Sequence, residues 1–278
     1  MLRKIMTLMV FVLIGANGAV ADETMDRIRS DGRITVATEA AFKPFEYVED
    51  GKIVGFGSDL LTEVVKDLGV KVEQLDLPFQ GILAGLAAGQ YDMVATSVAI
   101  NPERVKTYAF SRPFAAIANV IVVAVDNDKV QSTSDLNGIV VGSQLGSSTE
   151  AVARQINEEL KGAGGSGFDD LRLYQTFPDT AFALRSGQVD AIVIGSVTAG
   201  EFMAASPNTF KVAATYGDPV YLSWVVRPEA TELLNSLNAT ITRLVNSGQL
   251  YEMQEKWVGI RSDSPAEGYL PEGAIQSQ

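Results

Sequence analysis

The chain contains neither histidine nor cysteine among its 278 residues. Histidine is the commonest general base and the commonest zinc ligand, so its absence excludes serine-hydrolase triads and histidine-based metal sites. Without cysteine the chain cannot form a disulfide or carry a lipid on a cysteine. We therefore expect no catalytic residue, no bound metal and no cofactor.

Basic residues are also scarce, since 22 Lys and Arg stand against 34 Asp and Glu, giving a formal net charge of −12. An acidic chain repels the phosphates of nucleic acids, so a nucleic acid is not an expected partner. We take the negative charge as a source of solubility.

A long apolar run is confined to the N-terminus. Arg3 and Lys4 precede the apolar run Ile5–Ile14, and Ala19-Val20-Ala21 has the A-x-A pattern of a cleavage site. These features are typical of a secretory signal peptide, and the run is too short to span a bilayer. We predict that residues 1–21 are removed after Ala21, which places a mature chain of 278 − 21 = 257 residues in the periplasm, with a charge of −12 − 2 = −14.

Short apolar segments alternate with segments of helical spacing along most of the chain. Residues 59–68 place apolar side chains on one helix face and are followed by Gly69, a common helix C-cap. This βαβ rhythm predicts an α/β fold with mostly parallel sheets. The predicted strands are residues 33–38, 71–75, 93–96, 119–125, 139–142, 171–175, 189–194, a segment near 212, and 221–226. The predicted helices are residues 59–68, 80–88, a helix that begins at 101, and residues 148–160, 179–185, 196–204, 230–246 and 250–257.

One short pattern occurs twice. Residues 86–92, LAAGQYD, and residues 184–190, LRSGQVD, both lead from a helix through a Gly-Gln turn to Asp and an apolar strand. This repetition favours two similarly built lobes, and 257 residues suffice for two cores. The alternative is that glycine ends helices in any α/β protein.

Residues 91–104, YDMVATSVAINPER, combine the groups that a small carboxylate would need. An apolar strand leads to the hydroxyls of Thr96 and Ser97, and a helix is expected to begin at Asn101 as its cap. Arg104 would lie in the first turn of that helix. Open α/β sheets bind ligands beyond the carboxyl ends of their strands, and Arg offers a planar two-pronged donor to a carboxylate. The alternative is a surface Arg104 that pairs with Glu103.

Two further segments carry candidate site residues. Glu39, Phe42 and Phe45 follow the first strand, and Phe79 precedes a helix, so a carboxylate and aromatic rings could contact a cationic or apolar group. The alternative for each Phe is ordinary core packing, which we favour for Phe45.

The segment Gly146-Ser147-Ser148-Thr149-Glu150 opens another predicted helix. Backbone N–H groups of Ser147 and Ser148 could hold a carboxylate, and the alternative is a capping box between Ser147 and Glu150. In the second lobe, Gly195 is the counterpart of Thr96 and Ser97; it permits close approach but supplies no charge.

The sequence resembles bacterial extracellular solute-binding proteins of family 3, the polar amino-acid receptors of ABC importers. The resemblance covers essentially the whole mature chain and rests on ATEAAFKPFE, GFGSDLLTEVVKDLGV, GQYDMVATSVAINPERVKTYAFS, LGSSTE, SGQVDAIVI and LYEMQEKWVG. It implies a two-lobed periplasmic-binding-protein fold, with each lobe a mostly parallel sheet flanked by helices. Two crossing strands, expected near residues 112–116 and 221–226, would join lobe 1 (residues 22–115 and 221–278) to lobe 2 (residues 116–220).

The resemblance also implies roles for individual residues. Arg104 matches the Arg that grips the ligand α-carboxylate, and Thr96 and Ser97 match residues that hydrogen-bond the ligand. Ser147 and Ser148 match the hydroxyl pair of the second lobe. The remaining matches are Phe42 and Phe79, which correspond to an aromatic pair around the ligand side chain, and Glu39, which corresponds to an Asp that reaches its distal part.

Two positions depart from the family pattern. Ala99 replaces a hydroxyl residue, and Gly195 replaces the Asp that pairs with the ligand α-amino group. An unpaired buried ammonium would lose about 2–5 kcal/mol, which argues against an ordinary α-amino acid and for a substituted or cyclic nitrogen. The expected ligand is therefore an amino acid or amino-acid-like zwitterion, with an opine-like or ectoine-like compound as one candidate. A membrane permease is the expected partner of a monomeric receptor. The alternative is an enzyme on the same scaffold, similar to cyclohexadienyl dehydratase, in which Glu39 would act as acid or base.

Overall fold

The structure, a computed structural model, describes residues 23–276. The predicted signal peptide lies outside the described residues. Residues 23–276 form eight α-helices: α1 (Glu23–Asp31), α2 (Phe56–Leu68), α3 (Ile82–Ala87), α4 (Ser148–Gly162), α5 (Phe177–Arg185), α6 (Ser196–Ala205), α7 (Thr231–Ser247) and α8 (Gln249–Val258). The strands are β1 (Arg33–Thr38), β2 (Ala41–Phe42), β3 (Glu46–Glu49), β4 (Lys52–Val54), β5 (Lys71–Asp76), β6 (Met93–Ala99), β7 (Ala109–Phe110), β8 (Ala115–Ala124), β9 (Val140–Gln144), β10 (Asp170–Tyr174), β11 (Ala191–Gly195) and β12 (Phe210–Val226). Within these residues, no helix combines the length and the apolar character that crossing a membrane requires.

The main sheet has the strand order β10-β9-β11-β8-β12-β6-β1-β5. Strands β5, β1 and β6 pair in parallel on one side, and β10, β9 and β11 pair in parallel on the other. Between these groups, the long strands β8 and β12 pair antiparallel with each other and with the flanking strands β11 and β6. The result is the predicted α/β fold, in which two mostly parallel lobes are joined by two long strands.

The predicted lobe boundaries fall at the start of β8 and inside β12. The pairing of β12 with β8 is irregular between Tyr216 and Val220, and Gly217 there has a positive φ of 65°. The exact boundaries between the lobes stay a prediction.

Helix packing covers both faces of the sheet and fixes the core. Helix α2 buries Leu60, Leu61 and Val64, and Gly69 ends it in the left-handed conformation, as its position predicted. Gly89 and Gly187, the two glycines of the repeated pattern, both have a φ of 71°. The repeated helix–turn–strand unit is therefore present in both lobes.

Several predicted element boundaries are wrong. Strand β6 does not end at Thr96 but continues to Ala99, because all seven of its residues are buried and its last residues pair with β12. The helix expected from Asn101 is only a 3-10 turn, Arg104–Lys106. The segments near 212 and at 221–226 form one strand, β12. Helix α1 and the three-stranded sheet of β2, β3 and β4 were not predicted.

Candidate functional site

A cavity lies between the two lobes. Its walls come from the carboxyl ends of parallel strands, where Ala99 ends β6, Gln144 ends β9 and Gly195 ends β11. This is the place where α/β sheets bind ligands. The lining residues are Glu39, Phe42, Phe79, Ser97, Ala99, Arg104, Ile117, Gln144, Ser147, Ser148, Thr149, Phe177, Gly195 and Leu222. All but one of the predicted site residues are among them; their contacts with a ligand stay predictions.

Arg104 presents an unneutralised guanidinium to this cavity. Its NH1 donates to the Ala99 carbonyl at 2.8 Å, its NH2 donates to the Gly146 carbonyl at 3.1 Å, and the guanidinium lies 5.5 Å from the centre of the Phe79 ring. None of the carboxylates in residues 23–276 forms an ion pair with it, and Glu103 pairs instead with Lys106 at 2.9 Å. The structure therefore contradicts the alternative in which Arg104 pairs with Glu103.

Burial lowers the pKa of Arg104 to about 10, which still leaves the group charged at neutral pH. A partly buried cation without an anionic partner is costly, and a bound carboxylate would supply the missing charge through the two-pronged geometry of the guanidinium. The position of Arg104 is fixed by Asn101, whose side-chain oxygen accepts from the Arg104 backbone N–H at 2.8 Å. Asn101 thus makes a capping-type contact with the Arg104 backbone, but the N-cap position of the 3-10 turn is Glu103 and not the predicted Asn101.

Ser147 and Ser148 lie at the start of α4 on the opposite wall. Ser147 caps the helix, because its hydroxyl accepts from the Glu150 backbone N–H at 3.1 Å. The Glu150 carboxylate accepts from the Gly146 N–H at 2.6 Å, and the Ser147 N–H donates to the Gln144 carbonyl at 3.2 Å. The Ser147 N–H thus closes the turn before the helix, and its use in a carboxylate cradle stays a prediction.

Glu39 faces the cavity from the loop that follows β1. The side-chain amide of Gln144 donates to its carboxylate, which links the two lobes across the cleft. Burial raises the pKa of Glu39 to about 7; the Gln144 hydrogen bond opposes this shift and the charge of Asp76 adds to it. Gln144 was not predicted as a site residue, although its place at the end of a strand, just before the Ser-Ser segment, was a usable signal.

Aromatic rings enclose one side of the cavity. Phe42 lies 5.1 Å from Phe177 of the other lobe and 5.0 Å from Phe45, measured between ring centres. Phe42, Phe79 and Phe177 all line the cavity, whereas Phe45 is fully buried in the core, as its alternative interpretation held. Phe177 was missed because a single Phe at a helix start carries no local sign of a binding role.

The wall around Gly195 is apolar. A Cβ atom on Gly195 would lie 2.8 Å from Cδ1 of Ile117, so the Ile117 side chain fills the space into which a side chain at 195 would extend. Glu39 is the single acid among the described residues that line the cavity. The cavity thus offers one positive group, Arg104, and one titratable acid, Glu39.

Thr96 is the predicted residue that does not reach the cavity wall. Its hydroxyl is fully buried and donates to Oε2 of Glu46 at 3.1 Å. The Ser97 N–H also donates to Oε2 at 3.1 Å, and the Ser97 hydroxyl lies 2.8 Å from Oε1. Burial raises the pKa of Glu46 to about 8, against the lowering effect of these hydrogen bonds. Glu46 was not singled out from the sequence.

Known proteins are similar to this chain in sequence and in structure. L-cystine-binding protein TcyJ of Escherichia coli (strain K12) is 28% identical over 242 residues, which are 86% of this chain and 88% of TcyJ. Among solved structures, a mutant of ArgBP from T. maritima has 32% identity and a TM-score of 0.76, covering 85% of this chain and 100% of that one. The ancestral amino-acid-binding protein AncCDT-1, described as a precursor of cyclohexadienyl dehydratase, has 31% identity and a TM-score of 0.75, covering 84% of this chain and 99% of that one.

The family model for bacterial extracellular solute-binding proteins, family 3, matches residues 34–260, which include every lining residue of the cavity. The match spans most of the chain and both lobes. The chain is therefore a member of the bacterial extracellular solute-binding proteins, family 3.

Proposed function

We propose that this chain is the substrate-binding component of an ABC importer and that it binds an amino acid or a related zwitterion between its lobes. The observation that carries the proposal is Arg104, a cavity-lining guanidinium that no carboxylate of the described residues neutralises. A ligand carboxylate supplies the missing anion. The relatives support the same class, since TcyJ is named for L-cystine and a truncated ArgBP is described in an arginine-bound form.

The nitrogen end of the ligand lies toward Glu39 and the aromatic rings. Glu39 is the acid available there, and Phe42, Phe79 and Phe177 provide ring faces for a cationic or apolar group. At Gly195, where the family pattern has an acid, the wall consists of Ile117. This arrangement favours a ligand whose nitrogen is substituted or cyclic, as in opines, betaines and ectoine, over one that needs a carboxylate at position 195.

A thermal-shift screen of the mature chain, residues 22–278, tests the ligand class. Standard amino acids, opines, betaines and ectoine are compared at equal concentration. A ligand at 1,000 times its dissociation constant adds about 4 kcal/mol, or roughly 8–16 °C for a two-state chain of this size. A large shift with a substituted-nitrogen zwitterion and none with standard amino acids supports the ligand class. A large shift with an ordinary amino acid retains the transport role and refutes the substituted nitrogen.

Arg104→Ala tests the carboxylate contact. Removal of one partner of a buried charged pair costs about 2–5 kcal/mol, so the dissociation constant of the best ligand should rise by at least about 30-fold in isothermal titration. Arg261→Ala is the matched control, because Arg261 is an exposed arginine paired with Glu255. Unchanged affinity in Arg104→Ala would refute the proposal for this site.

The remaining parts of the proposal concern assembly. The receptor is monomeric, with lobe 1 formed by residues 22–115 and 221–278 and lobe 2 by residues 116–220, and it delivers its ligand from the periplasm to a membrane permease. Size-exclusion chromatography with light scattering tests the monomer, and ligand-dependent stimulation of the permease ATPase in vesicles tests the delivery.

One observation bears on the enzymatic alternative. The pKa of Glu39, raised by burial to about 7, would suit a general acid. A second catalytic group is missing from the lining, whose other side chains are hydroxyl, amide, apolar and Arg104. Turnover of prephenate or arogenate by the purified chain, lost in Glu39→Gln, would establish this alternative in place of transport.

A further inference from the structure

Glu46 is a buried acid that the proposed ligand site does not use directly. It is the first residue of β3, its side chain is fully buried, and it lies beneath Ser97, which lines the cavity. The two carboxyl oxygens have different partners. Oε2 accepts from two donors, the Thr96 hydroxyl and the Ser97 N–H, both at 3.1 Å, whereas the contact of Oε1 is with the Ser97 hydroxyl at 2.8 Å.

The space for this carboxyl exists because residue 57 is glycine. Gly57 lies in the first turn of α2, and a Cβ atom there would overlap the Glu46 side chain, with Oε1 as its nearest atom. Glu46 is therefore enclosed by the helix on one side and by β6 on the other. The neutral and the ionised carboxyl must make their hydrogen bonds within this enclosure.

These partners make the direction of one hydrogen bond depend on a proton. An ionised Glu46 can only accept, so the Ser97 hydroxyl must point its hydrogen at Oε1 and offers only lone pairs to the cavity. A neutral Glu46 carries its proton on Oε1 and donates it to the Ser97 oxygen. The Ser97 hydrogen is then free to point into the cavity, and the two bonds accepted by Oε2 are unchanged.

We propose that Glu46 is a positioning residue that, in its neutral form, turns the Ser97 hydroxyl into a hydrogen-bond donor toward the carboxylate of the bound ligand. This inference rests on the proposed function of the cleft. Ser97 and Arg104 line the same cavity, so a donating Ser97 adds to the positive side of the site. An accepting Ser97 would instead present lone pairs to a ligand carboxylate and weaken its binding.

The surroundings of Glu46 favour the neutral form at neutral pH. Burial raises its pKa to about 8, and the negative charge of Glu39 adds to this effect. Strands β2 and β6 contain no titratable side chain. The acid of α2 that is nearest in sequence to Gly57, Asp59, pairs with Lys256, and Lys52 of β4 is exposed. Glu39 is thus the neighbour whose titration must be separated from that of Glu46.

The remaining charged groups of the adjoining elements are engaged or exposed. In α2, Lys66 pairs with Glu63, and Asp67 pairs with Arg243. In β3, Glu49 is exposed.

The test is the pH dependence of binding. Isothermal titrations of the mature chain are made from about pH 6 to 9 with ectoine and proline betaine, whose charges are constant over this range, and with L-arginine. Loss of one hydrogen bond to a charged group corresponds to about 10-fold or more in affinity, so the wild-type affinity should fall by that factor as Glu46 ionises. Glu46→Gln should bind as the wild type does at pH 6.5 and show no fall in affinity toward pH 9, because the amide donates to Ser97 permanently.

Two further variants separate this role from others. Ser97→Ala should lose about 10-fold at pH 6.5 and show no alkaline fall, since the donor is gone. Glu39→Gln should keep the alkaline fall in affinity, because ionisation of Glu46 causes that fall. An alkaline fall in Glu46→Gln equal to that of the wild type, or an equal loss of affinity in Glu46→Gln at every pH, refutes the proposal, because the latter indicates a purely structural role.

An infrared measurement distinguishes failure of this inference from failure of the proposed function. A protonated-carboxyl band at pH 7 is expected in Glu39→Gln without any ligand, and it should be absent from the double variant Glu39→Gln/Glu46→Gln. The single variant Glu46→Gln keeps a band from Glu39, whose pKa is about 7. If the band is absent from Glu39→Gln, Glu46 is not neutral at pH 7, and this conclusion does not depend on which ligand binds. If the band is present and none of the three zwitterions binds, the proposed ligand class fails, and the role of Glu46 in binding fails with it.

Discussion

Glu46→Gln should make the stability of the protein less dependent on pH. The pKa of Glu46 is raised by burial from the ordinary value of 4.5 to about 8 in the folded protein. Between these two values the folded protein holds a proton that the unfolded chain has released. The folded state therefore loses stability as the pH rises through this interval, and it loses no more once the pH exceeds about 8.

The magnitude follows from the size of the shift. A difference of about 3.5 pKa units at 1.36 kcal/mol each amounts to about 5 kcal/mol as an upper limit. Gln cannot ionise and can make the hydrogen bonds of the neutral acid. The free energy of unfolding of Glu46→Gln, relative to wild type, should therefore increase by up to about 5 kcal/mol from pH 4.5 to pH 8.

Urea denaturation at several pH values measures this difference directly, provided that the slope with denaturant is the same for both proteins. Glu49→Gln is a suitable control, since Glu49 lies on the same strand and is exposed. Glu39→Gln should show a smaller effect of the same sign, because the pKa of Glu39 is raised to about 7. If wild type and Glu46→Gln lost stability in parallel between pH 5 and 8, the reasoning about the buried acid would be refuted.

Three other substitutions have definite expected outcomes. Gly57→Ala should lower the free energy of unfolding by about 2–4 kcal/mol, because the added methyl group displaces the Glu46 carboxyl. Adding Glu46→Ala to this variant should restore part of the lost free energy. Additive losses in a double-mutant cycle would contradict this expectation. The double variant Gly195→Asp/Ile117→Ala should shift binding toward ordinary α-amino acids in the thermal-shift screen, because a carboxylate then replaces the apolar wall. An unchanged ligand profile would argue against an ammonium subsite at position 195. Phe177→Ala should weaken ligand binding by about 10-fold in isothermal titration, because it removes the ring that lies 5.1 Å from the Phe42 ring across the cleft. Unchanged affinity would mean that the Phe177 ring contributes to packing alone.

Local patterns predicted the main elements of the fold well. The helical spacing of residues 59–68 and the glycine after it correspond to α2, although the helix begins earlier, at Phe56. The sequence also predicted strand β9, over residues 139–142 where the structure has Val140–Gln144, and the start of helix α4 at Ser148, because an apolar run and a cap are local signals. The alternation of such elements was sufficient for the α/β class.

Features that depend on distant pairing were not predictable in the same way. Strand β6 extends past Thr96 because β12, more than a hundred residues later, pairs with its end. The small sheet was missed because its strands have only two to four residues. Glu46 and Gln144 belong to the site through contacts with residues more than 30 positions away, and such contacts leave no periodic pattern in the sequence.

The absence of a side chain at Gly57 restricts the order in which this protein could have changed during evolution. While Glu46 occupies the enclosure under β6, any residue other than glycine at 57 meets its carboxyl. The side chain at position 46 must therefore become smaller before the side chain at position 57 can become larger. Conversely, in an ancestor with a larger residue at position 57, glycine must appear there before Glu can appear at position 46. Descendants of this chain are expected to vary at the two positions as a pair, with the unpaired combinations rare because they pass through a destabilised intermediate.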